Sequence, residues 1–179
     1  MDESTHESFI RDILKSQYHA SLAMLHESIE LCPDDLWTSK EFRNAFWQLA
    51  YHTLYFAHAY MGAGKDALVP WEHHHAENQN PDCIPGPPDP KSPLPWLPPA
   101  YTKQQVLAYW QFCDDHVNAF VDALDLFSPD CGFSRYPIPK LEHQMVNLRH
   151  IQHGAAQLAD RLRLKLDIGV KWVGSCRNG

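Results

Sequence analysis

The sequence predicts an all-α fold: one four-helix bundle of up-down-down-up type occupying 1–179 as a single domain. Three observations carry that expectation. Four segments repeat apolar residues with a helical period, and no segment alternates apolar and polar residues as a half-buried strand does. One long proline-rich connection between the second and third helices is long enough to serve as a crossover. The chain of 179 residues, 44% apolar and 21% charged, suffices for a sizeable core and has ordinary globular composition.

The first helix is expected from Ser4 to Leu31. Ser4 and Glu7 have capping-box spacing. Ile10, Ile13, Leu14, Met24 and Leu25 share one face; Asp12, Lys15, His19, His26 and Glu30 lie opposite. Cys32-Pro33-Asp34-Asp35 stops it. The second helix is expected from Glu41 to Met61, ending at Gly62, and it is apolar on almost every side. Such a helix is buried on most faces or shared with a second subunit. The third starts at Thr102, with Gln105 at the capping-box position, and its core stripe runs Val106, Tyr109, Trp110, Cys113, Val117, Phe120 and Leu124. The fourth starts at Pro139, a suitable first-turn residue, and continues to Lys165. Its stripe is Leu141, Met145, Leu148, Ile151, Ala155, Leu158 and Leu162.

The connection Ala63–Tyr101 has 39 residues and holds 10 of the 14 prolines, so it is not helical through its length. Connections that long are often functional. Trp71 and Trp96 are its expected anchors on the bundle. The tail from Ile168, within 166–179, reads as a short extended piece.

Composition excludes several function classes. The net charge of −7 disfavours nucleic-acid binding, which needs a basic footprint. No apolar run approaches ~18 residues, so no membrane span is expected, and the acidic, polar first residues are not a secretory signal. Five cysteines without a CxxC pair indicate neither a disulfide framework nor a zinc ribbon, and reduced thiols point to the cytoplasm. No nucleophile motif, phosphate loop or dinucleotide fingerprint is present, and no catalytic residue can be named.

The chemistry is concentrated in twelve histidines. His150 and His153 lie one turn apart on the fourth helix, and three residues rotate by about 300°, so their side chains occupy neighbouring positions. His52 lies in the apolar second helix. Two buried helices carrying these three histidines frame a metal site with an open position. A lone histidine on an apolar helix also reads as a core residue satisfied by a neighbour. His153 points about 60° further toward solvent than His150, whereas position 154, further inward, is glycine. The run His73-His74-His75 in the long connection reads as solvated and polar. His143 and Asn147 share the flank of His150 and are candidates to orient it. His58 reads as structural and Cys113 as a buried, inert thiol.

Two phrases, Asn44-Ala-Phe-Trp-Gln-Leu-Ala-Tyr-His52-Thr-Leu and Asn147-Leu-Arg-His150-Ile-Gln-His153-Gly-Ala-Ala-Gln157-Leu, with a Trp172-Val-Gly tail, carry a resemblance. The chain resembles the DinB/YfiT-like superfamily of four-helix bundles over nearly its whole length. The resemblance implies a divalent metal (zinc, nickel or iron) held by three histidines, one from the second helix and two from the last at i and i+4. His52 and His150 match the first two positions. The third falls on Gly154, with His153 as the available substitute at i+3. It also implies a metal-dependent hydrolase or low-molecular-weight-thiol transferase, a small-molecule substrate, and a homodimer. The departure at Gly154 leaves a metal-free binding or interaction protein of the same fold as the alternative.

Overall fold

The computed structural model describes residues 3–75, 77–80, 84–85, 96–97 and 99–176. The architecture is helical: α1 (Glu3–Leu31), α2 (Asp34–Trp37), α3 (Phe46–Met61), α4 (Lys103–Ala123) and α5 (Lys140–Leu166). Two two-residue strands, β1 (Ile84–Pro85) and β2 (Trp96–Leu97), pair in parallel inside the proline-rich connection. The four long helices pack around one core, α1 against α4 and α5, and α3 against the same two. Among the described residues, no helix is long and apolar enough to cross a membrane.

Local chemistry explains most boundaries. Thr102 caps α4: its hydroxyl accepts from Gln105 N at 3.2 Å, while Gln105 Oε1 accepts from Thr102 N at 2.8 Å. α5 begins directly after Pro139 and ends at Asp167, which takes a left-handed conformation (φ 56°). Two expected starts move. α1 already includes Glu3, one residue before the expected start near Ser4. α3 starts at Phe46, not Glu41, because Ala45 is extended and its N–H is taken by the Gln48 side chain at 2.8 Å. The tail from Ile168 to Cys176 has no regular structure; it lies along α1, with Gln17 Nε2 donating to Gly174 O (3.1 Å).

The expected stripes mostly face the core, with two corrections. Ile13 is 36% exposed and Met145 is 42% exposed, so both lie outside the buried face. In α1 the core is instead continued by Tyr18, Leu22 and Ile29, all fully buried. α3 is buried almost all round by its own bundle. Its apolar excess therefore leaves no broad face that needs a second subunit.

The bundle interior also holds a polar network. Tyr18 O–H donates to Gln144 Oε1 (2.7 Å), and Asn147 Nδ2 donates to Tyr18 Oη and to Ala57 O, each at 3.0 Å. Gln144 Nε2 donates to Tyr60 O (3.1 Å). These bonds tie α1, α3 and α5 into one register, since each buried amide left unpaired costs about 1–3 kcal/mol. That register places His52 opposite His150.

Candidate metal centre

α3 and α5 approach closely because position 154 has no side chain. A Cβ built at Gly154 would lie 2.1 Å from Thr53 Oγ1 and 2.7 Å from Thr53 Cγ2. Thr53 directly follows His52, and Gly154 lies one turn beyond His150. The same close approach brings the two imidazoles together, with Nε2 of His52 3.3 Å from Nε2 of His150.

His52 is oriented by the long connection. Its Nδ1 lies 2.7 Å from the carbonyl oxygen of Gln79. A carbonyl only accepts, so Nδ1 carries the proton and, in the neutral ring, Nε2 presents its lone pair toward His150. A backbone carbonyl on the second ring nitrogen is the arrangement that usually fixes metal-binding histidines. Phe56 sits edge-on to both rings, at 4.9 Å from His52 and 5.9 Å from His150. Burial first, then the neighbouring His52 and His153, push the His150 pKa down to about 4, so that ring is neutral near pH 7 and keeps a lone pair. Its Nδ1 is buried without a hydrogen-bond partner.

Gln79 reaches His52 because the segment before it is fastened to the bundle. Trp71 is buried and stacks on Tyr109 at 4.7 Å. His74 Nδ1 lies 2.7 Å from Tyr51 Oη, and its ring stacks on Tyr55 at 5.1 Å. Tyr101 O–H donates to His73 O (2.7 Å), and its oxygen accepts from His75 N (2.8 Å). Glu77, at φ 72°, then takes a left-handed conformation uncommon for a residue with a side chain, and the chain turns toward His52. The histidine run is therefore not uniformly solvated: His73 and His75 are exposed, but His74 is wedged among tyrosines. The expected anchor Trp96 has a side chain outside the described residues.

The remaining candidates do not join the pair. His153 is exposed on α5, where with His150, Val146 and Arg149 it borders a surface depression of 530 Å³. Position 154 is closed by Thr53, so the inward direction expected there is not open. Among the described residues, no group of three or more His, Cys, Asp or Glu side chains is placed to hold one metal ion. His143 is fully buried among Tyr60, Phe133 and Tyr136, at 4.7–5.1 Å between rings. Neither of its ring nitrogens has a partner, and burial pushes its pKa down to about 4. Asn147 spends its amide nitrogen on Tyr18 and Ala57, and its buried Oδ1 has no hydrogen-bond partner. Neither residue therefore orients His150. Cys113 is buried, and desolvation holds its thiol well above the usual range.

Sequence reasoning missed Gln79 and Thr53. A backbone carbonyl leaves no mark on residue identity. Thr53 left one indirect sign, a glycine inside an otherwise regular helix at the facing position. No family model matches this chain, and no curated protein or solved structure matches it either.

Proposed function

We propose that the chain is a metal-dependent enzyme of the DinB-like type, a hydrolase or a low-molecular-weight-thiol transferase, with its ion between α3 and α5. The observation that carries this reading is the 3.3 Å separation of the two Nε2 atoms. Two nitrogens each about 2.0–2.1 Å from one tetrahedral ion lie about 3.3–3.4 Å apart. The carbonyl-oriented His52 ring offers its Nε2 lone pair, and the neutral His150 ring, whose Nε2–H donates to His52 in this structure, would offer its own once that proton moves to the unpartnered Nδ1. With two protein ligands, further positions are left for water or substrate, and the depression beside His150 and His153 is the outer approach. A divalent ion held there polarises a carbonyl or lowers the pKa of a bound water or thiol.

Within that reading, Gln79 keeps His52 in the right tautomer, Phe56 holds both rings, and Thr53 against Gly154 sets their spacing. His153, the third donor of the proposal, faces solvent and would have to turn inward to reach the ion. The helices run up-down-down-up. The direct packing of α3 on α4 across a long connection supports this, because parallel neighbours need a crossover. The cytoplasmic homodimer belongs to the same proposal and rests on the resemblance.

A metal-free binding protein of the same fold is the second reading, favoured by the closure of position 154. Elemental analysis and zinc titration of untagged protein separate the two. The enzyme reading expects one ion per chain, lost in His52→Ala and His150→Ala and only weakened in His153→Ala. Protein that neither carries nor takes up zinc, nickel or iron overturns the enzyme reading. Full occupancy in all three variants removes these histidines from any metal role.

A further inference from the structure

On the far side of α3 a second cavity, of 460 Å³, lies between α3, α4 and the segment after α3. That volume falls within the ~300–1,000 Å³ of small-molecule sites. Neither His52 nor His150 lines it. Aromatic rings share its walls with small and aliphatic residues such as Leu68 and Val69. Phe112 and Phe120 of α4 are half-buried, and the His58 ring sits between them at 5.1 and 5.6 Å. Trp71 forms the opposite wall and is held rigid by its stack on Tyr109. The His116 ring lies 4.4 Å from Phe112.

The polar atoms on this lining have a sign. His116 Nδ1 lies 2.8 Å from Phe112 O and so carries a proton, which turns that nitrogen away from the cavity's ligand. His58 Nδ1 is taken by Tyr109 Oη at 3.0 Å. Burial pushes the His58 pKa down to about 4, so that ring brings no positive charge near pH 7. Glu72 is the formally charged residue on the lining, exposed at the rim and 3.4 Å from His73 Nε2. Among the described residues, no lysine or arginine lines the cavity. Aromatic faces with one carboxylate attract a cation, and an apolar body is needed to fill the space. The geometry points to a second ligand site here, for a small aromatic ammonium compound.

Isothermal titration calorimetry of the intact protein at neutral pH tests this with 2-phenylethylammonium, benzyl alcohol and phenylacetate. The ammonium probe binds saturably and about fivefold more tightly than the alcohol, the factor that ~1 kcal/mol of cation–π and ionic attraction supplies, with phenylacetate weakest. Glu72→Gln, at an exposed position, keeps alcohol binding and reduces the preference for the cation. Phe120→Leu keeps an apolar side chain without the π face and also reduces that preference. His150→Ala leaves binding unchanged, which separates this site from the metal reading. Equal binding of the three probes overturns the proposal. So does a lack of saturation at millimolar concentration, a preference that survives both Glu72→Gln and Phe120→Leu, or loss of binding in His150→Ala.

Discussion

Gly154→Ala tests whether the α3–α5 contact that sets the histidine pair depends on a missing side chain. On an unconstrained helix surface the change stabilises by roughly 1 kcal/mol through helix propensity. Here the new Cβ meets Thr53 Oγ1 at 2.1 Å, Cγ2 at 2.7 Å and Cβ at 3.0 Å. Thr53 cannot simply rotate away, because its hydroxyl donates to Leu49 O at 2.8 Å and its own Cβ stays in place. Overpacking costs ~1–3 kcal/mol and a lost hydrogen bond about 1 kcal/mol more. The net expectation is a loss of roughly 1–3 kcal/mol, read as a lower urea midpoint at unchanged slope. In a Thr53→Ala background Oγ1 and Cγ2 are gone, so the penalty shrinks and the double-mutant cycle shows coupling of at least ~1 kcal/mol. Gly154→His carries the same Cβ and is likewise destabilising, although the resemblance taken alone favours a gain in metal affinity. A Gly154→Ala protein as stable as the parent, or a penalty unchanged by Thr53→Ala, refutes the reasoning.

Three further outcomes follow from the buried groups. His58 and His143 have pKa values of about 4 in the folded chain against about 6.5 unfolded, so between these values the unfolded state binds more protons and stability falls as pH is lowered from about 6.5 to 4. Each contributes up to ~2–3 kcal/mol of that loss, and urea midpoints that stay flat from pH 7 to 4.5 contradict it. Trp71→Ala removes the ring stacked on Tyr109, lowers stability by about 3 kcal/mol, and speeds proteolytic cleavage after position 62; an unchanged digestion pattern excludes Trp71 as the anchor. Among the four described cysteines, half-buried Cys176 labels first with a thiol reagent, while Cys32, its thiol pushed up to about 12 by burial, and Cys113 label only on unfolding. Mass mapping of early labelling checks the order.

The helices were legible because each buries a stripe against neighbours, and a stripe is written in residue spacing. Val106, Tyr109, Cys113 and Val117 are all buried as their spacing implies. The errors came where spacing carries no information. Ile13 and Met145 sit at stripe borders, where the angle of the neighbouring helix decides burial. The start of α3 was misjudged by several residues because the Gln48 side chain, reaching back to Ala45 N, sets the boundary. His52 and His150 were visible as residue types on two helices, but their mutual distance was not.

By itself, the sequence determined the helical class, the four long amphipathic segments, the capping of α4 and the presence of two histidines on core-forming helices. These follow from periodicity and local hydrogen bonding, which act over a few neighbouring residues. The tertiary structure alone decided that Thr53 fills the space beside Gly154, that the Gln79 carbonyl fixes the His52 ring, and that His153 faces solvent. Those outcomes depend on which surfaces meet across 27 to 101 positions of chain, where packing and backbone direction, rather than residue identity, set the geometry.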